Sequence, residues 1–144
     1  MNLNPVNQLS LYGHHSEFSN FIKLYENNKL PNKILLSGEK GIGKSTLAYH
    51  IINHILSIDE DYSYDTKEFK INLENKSFKL IKNKSNPNFI SIDIDDDKKN
   101  IDINQIRNLI ITLNKSSFNS KPRLILIDNI ELLNINSINA LLKV

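Results

Sequence analysis

The chain has 144 residues, of which 40% are hydrophobic and 24% charged, with a formal net charge of +2 and no cysteine. These values exclude a disordered chain, a disulfide-stabilised fold and a thiolate zinc site, and the mild charge gives no argument for nucleic-acid binding. No apolar run has the length of a bilayer span, and the polar first ten residues lack the apolar core of a signal peptide. We therefore expect one ordinary domain, residues 1–144, in the cytoplasm.

Two elements are predicted ahead of a glycine-rich loop. A helix beginning at His15 or Ser16 would place Phe18 and Ile22 on one apolar face. Residues 33–37 then form a short apolar run, which is typical of a buried parallel strand. The sequence thus predicts a helix followed by a strand.

The glycine-rich loop matches the phosphate-binding motif G-x-x-x-x-G-K-[ST]. Between a strand and a helix, such a loop turns its backbone N–H groups inward, and the helix dipole adds partial positive charge. Lys44 would reach the β- and γ-phosphates of a nucleotide, and the Ser45 hydroxyl would bind Mg²⁺. The sequence therefore predicts an ATP or ADP site at Gly38, Glu39, Lys40, Gly41, Ile42, Gly43, Lys44, Ser45 and Thr46.

The helix after the loop is expected to end near Ser57, and it carries His50 and His54 one turn apart. A metal pair of the H-E-x-x-H kind is not favoured, because Ile51 stands where that motif has its glutamate. We interpret the two histidines as surface or half-buried side chains. Residues 57–86 have the weakest secondary-structure pattern in the chain. The lysines of residues 67–84 are expected on a solvated face rather than against DNA phosphates.

The second half of the chain reads as alternating strands and helices. Residues 89–94 alternate as a strand does, and Asp102 with Gln105 forms the capping box of a following helix. Residues 124–127 are the most apolar strand and are expected to be central in the sheet. A last helix, residues 137–144, is predicted with Asn136 as its cap.

The apolar strand at residues 124–127 ends in Asp128. The carboxyl ends of buried parallel strands are where such sheets bind ligands. The Asp128 carboxylate is therefore expected to hold the Mg²⁺ opposite Ser45, directly or through water. Asp128 is the catalytic candidate of the chain through this association with the ion.

The chain resembles the clamp-loader ATPases of the AAA+ class, and within them it is most similar to the delta-prime subunits of bacterial DNA polymerase III. The resemblance covers nearly the whole chain outside residues 58–84. Five stretches carry the resemblance: residues 13–14, 30–49, 86–89, 103–107 and 139–144. The first of them, residues 13–14, is similar to a G-H/Q box that lies near the adenine in the family.

The resemblance implies an α/β P-loop NTPase fold, an AAA+ type parallel sheet flanked by helices, with ATP or ADP and Mg²⁺ as cofactors. The implied partners are the gamma/tau and delta subunits, with the sliding clamp and primed DNA reached through the complex, and no membrane. The family's arginine finger, lid and collar would lie beyond residue 144, so we expect an N-terminal fragment. It would be truncated before the fourth and fifth strands, leaving residues 33–37 and 124–128 without their shared neighbour and the fragment poorly stable alone.

Three departures from the family pattern bear on activity. The gamma/tau subunits carry a four-cysteine zinc module that this chain lacks, which favours delta-prime. AAA+ hydrolases have glutamate after the strand aspartate, whereas Asn129 stands here, and an amide cannot act as a general base. Glu39 replaces a common proline and adds a carboxylate beside the phosphates. Nucleotide binding is therefore expected, with hydrolysis weak or absent.

The sequence leaves further functions open. A small P-loop kinase acting on a metabolite would need an arginine-bearing lid, and Arg107 and Arg123 are the only arginines. A gamma/tau-like motor, a branch-migration helicase, and a structural subunit with a vestigial loop are also compatible with the motifs.

Overall fold

The computed structural model describes residues 3–116 and 119–144. The chain divides into two compact units, residues 1–85 and residues 86–144, called below the N-terminal unit and the C-terminal unit. Within the described ranges, none of the helices combines the length and the apolar character that a bilayer crossing needs.

The N-terminal unit is built of helices. As far as its residues are described, these are a 3-10 helix Pro5–Asn7, α1 His15–Glu26, α2 Lys44–Ser57 and α3 Lys76–Lys82. Phe18 and Ile22 of α1 and Leu47 of α2 are buried in one apolar cluster with Tyr64 and Phe78. The predicted first helix and the predicted end of the second are confirmed, since apolar residues at helical spacing give each helix a face to bury.

Residues 58–75, here called the connecting segment, fold against the start of the chain. The N–H of Leu11 donates to the carbonyl of Phe69 at 3.0 Å. The ring of Phe69 stacks on the ring of His15, with centroids 4.0 Å apart and planes within 8°. The connecting segment therefore packs along the residues that precede α1.

His50 on α2 is fully buried, so the prediction of a surface or half-buried histidine is wrong for this residue. Its Nδ1 accepts from the Tyr64 hydroxyl at 2.8 Å, and its Nε2 donates to the Gln8 carbonyl at 3.2 Å. Burial lowers the pKa of His50 to about 4, so the ring is neutral at pH 7. Both nitrogens are used within the fold, which explains how a polar ring is buried on this helix.

Asn75 joins α2 to α3 and is also fully buried. Its Oδ1 accepts from the Phe78 N–H at 2.7 Å, which caps α3, and from the Asn53 amide at 2.9 Å. Its own amide donates to the Tyr62 carbonyl at 2.7 Å. One side chain thus connects two helices and the connecting segment.

The predicted strand at residues 33–37 is not a strand in the structure. Its side chains Ile34 and Leu35 are 47% and 72% exposed. An apolar run becomes a strand only where a neighbouring strand supplies hydrogen-bond partners, so its surroundings override the local pattern here.

The C-terminal unit has the α/β architecture that the sequence predicted, with parallel strands and helices flanking them. Its described elements are β1 Phe89–Ile92, α4 Ile103–Leu113, β2 Leu124–Ile127, a 3-10 helix Ile130–Leu132 and α5 Ile135–Leu141. β1 and β2 are parallel, with Phe89 opposite Leu124 and Ile92 opposite Ile127. The core of the unit consists of Ile92, Ile101, Ile106, Leu109 and Leu133.

Four details of the C-terminal unit bear on the predictions. The Asp102–Gln105 capping box is confirmed. β1 ends at Ile92 rather than at residue 94. β2 is half-buried, and it pairs with β1 instead of lying centrally among the described strands.

The last helix is capped by Asn134 rather than by Asn136. The Asn134 side chain accepts from the Ser137 N–H at 2.8 Å, and Asn136 lies inside the helix. Two asparagines lie within three residues here, and composition alone does not choose between them.

Candidate nucleotide site

The phosphate-binding loop, residues 38–46, leads directly into α2 in the N-terminal unit. Gly41 and Gly43 have φ of +84° and +97°, in the left-handed region that side chains rarely adopt. Gly43 is also the N-cap of α2. The loop therefore needs glycine where the motif has it, and the 14-residue α2 directs its N-terminal dipole at the same place.

Lys44 is the first residue of α2, and its ammonium folds back over the loop. Its Nζ donates to the carbonyl of Gly38 at 2.8 Å and to that of Glu39 at 2.7 Å. The side chain of Glu39 is exposed, so it is the backbone of this residue that meets the lysine. The loop thus places the Lys44 ammonium beside the glycine backbone at the helix N-terminus, an arrangement suited to an anion.

The structure also places His14 against the loop. Its Nε2 lies 2.7 Å from the carbonyl oxygen of Ile42. In the sequence only a resemblance singled out this residue, and no spacing rule connects residues 28 positions apart. His14 is therefore a contact that the loop motif does not predict.

Asp128 lies at the carboxyl end of β2, where the sequence placed it. Its backbone N–H donates to the Ile92 carbonyl at 2.8 Å, which continues the ladder between the strands. Its carboxylate Oδ1 accepts from the N–H of Asn129 at 2.9 Å. The two strands thus fix the backbone of Asp128 at the carboxyl edge of the parallel pair, the edge at which open parallel sheets generally bind ligands.

Asn129 is held by a residue that sequence reasoning did not connect with it. Its amide Nδ2 donates to Asp93 Oδ1 at 2.7 Å, and Asp93 follows β1 as Asp128 follows β2. Its φ of +50° is a left-handed conformation in which asparagine is enriched. An amide that is donating to a carboxylate has no basic atom to offer, so the arrangement does not supply a general base.

The two predicted magnesium ligands belong to different units, and the magnesium site stays a prediction. Ser45 belongs to the N-terminal unit and Asp128 to the C-terminal unit. A hydroxyl and a carboxylate are oxygen donors of the type that Mg²⁺ takes, so the residues fit the ion chemically. Within residues 3–116 and 119–144, no group of three or more His, Cys, Asp or Glu side chains is placed to hold a metal.

Comparison with known proteins identifies the family. No curated protein matches the chain. The family model for the DNA polymerase III delta subunit matches residues 13–144 and so includes both the phosphate-binding loop and Asp128. The chain therefore belongs to the DNA polymerase III delta-subunit family, whose members are clamp-loader-type subunits in DNA replication.

Proposed function

We propose that this protein is a delta-prime-type clamp-loader subunit that binds Mg-ATP or Mg-ADP through residues 38–46. The observation that carries the proposal is the loop itself, with left-handed Gly41 and Gly43 and the Lys44 ammonium over it. A loop of this composition before a helix N-terminus is suited to phosphate. Within a clamp-loader family, the phosphate-bearing ligand it favours is a nucleotide.

Each residue of the proposed nucleotide site would have a role that follows from its chemistry. Backbone N–H groups of the loop would donate to phosphate oxygens, and Lys44 would exchange the Gly38 and Glu39 carbonyls for the negative charge of the nucleotide. Ser45 and Asp128 would hold Mg²⁺, which neutralises phosphate charge when bound. Gly38, Glu39, Lys40, Ile42 and Thr46 complete the loop around the phosphates.

The same proposal assigns this subunit weak or absent hydrolysis. Asn129, hydrogen-bonded to Asp93, stands where a carboxylate would have to orient and deprotonate water. Binding without turnover is compatible with a subunit that supports the assembly rather than driving it. The absence of cysteine also favours the delta-prime assignment over gamma/tau.

Membership of a clamp-loader family supports a proposal about partners. We infer that the protein assembles in the cytoplasm with gamma/tau and delta subunits, and that it meets the sliding clamp and primed DNA through that complex. With a formal net charge of only +2, the isolated subunit is not expected to bind DNA tightly.

Reconstitution tests this function. The full-length protein is mixed with purified gamma/tau and delta, and clamp loading on primed DNA is measured with and without it. We expect a stable complex and loading that depends on its addition, while the subunit alone shows little ATPase activity. Turnover by the subunit alone that Asn129→Ala abolishes would contradict the assigned role. Tight, salt-sensitive DNA binding by the isolated protein would instead indicate a helicase.

A further inference from the structure

The contact between His14 and the phosphate-binding loop is short and specific. The Nε2 of His14 lies 2.7 Å from the Ile42 carbonyl oxygen. A carbonyl oxygen only accepts, so Nε2 carries the proton and the neutral ring has the Nε2–H tautomer. A Cβ built on Gly43 would lie 3.6 Å from the same nitrogen, so the ring also covers the next residue of the loop.

The backbone around His14 is shaped for this contact. Gly13 and His14 have φ of +75° and +56°, two consecutive residues in the left-handed region. Residues other than glycine seldom adopt that region; histidine tolerates it better than most, and the surrounding contacts hold it there. Here the carbonyl of His14 accepts from the Phe18 N–H at 2.9 Å, so α1 fixes the residue from one side.

The connecting segment, residues 58–75, fixes it from the other side. His15 stacks on Phe69, and its Nε2 donates to the Leu11 carbonyl at 2.8 Å. Leu11 in turn donates its N–H to Phe69. The stretch that bears His14 is thus held between α1 and the connecting segment, and it presents the imidazole to the loop from a fixed backbone.

We propose that His14 is a positioning residue of the nucleotide site, an inference that rests on the proposed nucleotide binding. In a trans peptide the C=O and N–H groups point in opposite directions. By holding the Ile42 carbonyl, His14 sets the direction of the Gly43 N–H, one of the donors that the loop offers to phosphate. His14 acts through the loop in this role, without contact to the nucleotide phosphates.

Two substitutions of His14 separate its hydrogen bond from its backbone conformation. His14→Asn keeps a residue that tolerates the left-handed region, but its amide ends where Nδ1 lies and does not reach Ile42. His14→Gln places an N–H donor near the position of Nε2. Glu17→Gln is the matched control, because the Glu17 carboxylate lies 4.0 Å from the other ring nitrogen, on the side away from the loop contact.

Titration calorimetry with Mg-ADP on the full-length protein measures the effect. We expect His14→Asn to raise Kd about threefold to tenfold, as loss of one hydrogen bond does. His14→Gln should bind within about twofold of the wild type, and Glu17→Gln should bind equally. A purely structural role would lower the melting temperature of both His14 variants without the selective recovery by glutamine.

Nitrogen NMR of the nucleotide-free protein supplies the second readout. We expect the Nε2–H tautomer for His14, and a shift of the Gly43 amide resonance in His14→Asn. If the wild type binds Mg-ADP and His14→Asn binds equally, this inference is overturned and the proposed function stands. If the wild type does not bind, the proposed function fails, and an unchanged Gly43 resonance or the other tautomer would refute the loop contact as well.

Discussion

The two compact units are stabilised by different kinds of buried contact. The core of the C-terminal unit is a cluster of isoleucine and leucine, and its buried polar side chains among described residues are Asn88 and Ser137. The N-terminal unit buries more polar groups beside its apolar cluster, namely His50, Asn53, Ser57, Asn75 and Ser77. The stability of the C-terminal unit should therefore depend mainly on buried apolar area. The stability of the N-terminal unit should depend also on specific hydrogen-bond partners and on pH.

The largest difference between the units is expected from their two asparagine caps. Asn75→Ala removes an N-cap and leaves the Asn53 amide and the Tyr62 carbonyl without this partner, at a cost of about 3 kcal/mol in the free energy of unfolding. Asn134→Ala is the matched control, since it removes the cap of a helix of equal length, and should cost about 1 kcal/mol. Urea titration of the protein measures both, and equal losses would contradict the polar-network account.

A smaller effect is expected from acid, and it should fall on the N-terminal unit. The pKa of His50 is about 4 in the folded state against an ordinary value of 6.5, because burial disfavours the charged ring. The unfolded chain therefore takes up the proton first as pH falls. The free energy of unfolding is therefore highest above about pH 6.5 and decreases as the pH falls toward 4, with about 2 kcal/mol lost by about pH 5.

The control for this pH dependence is His50→Gln, which cannot titrate and keeps an amide donor. Its stability should change less between pH 7 and pH 5 than that of the wild type. A residual slope is expected because burial also lowers the pKa of His54. Hydrogen exchange corrected for its intrinsic rate should show the loss in α2 rather than in α4, and identical pH slopes in the two proteins would refute this role of His50.

The features that were predicted correctly depend on residues close together in the sequence. Helical spacing located α1, α2 and α4, and the Asp102 capping box is a local pattern that spans only four consecutive residues. The position of the glycine-rich loop before α2 was also predicted, because the residues of its motif are contiguous. The position of Asp128 followed from the strand that precedes it.

The features that were missed depend on contacts distant in sequence. No local pattern connects His50 to Tyr64, or Asn129 to Asp93 36 positions earlier. Residues 33–37 have the composition of a strand, but a strand also needs a neighbour, which composition does not supply. The conformation of the connecting segment could not be predicted for the same reason. Hydrogen bonds and ring stacking hold this segment, and it has no repeated apolar face.

The central claim is that residues 38–46 bind nucleotide, and one titration tests it most directly. Mg-ADP is titrated into the full-length wild type, Lys44→Ala and Lys29→Ala, the last removing an equal charge from an exposed position outside the loop. We predict saturable binding by the wild type, at least about tenfold weaker binding by Lys44→Ala, and little change in Lys29→Ala. At about 100 times Kd, nucleotide should stabilise the wild type by about 2.7 kcal/mol. No binding by the wild type at millimolar nucleotide, or equal weakening in both variants, would contradict the account.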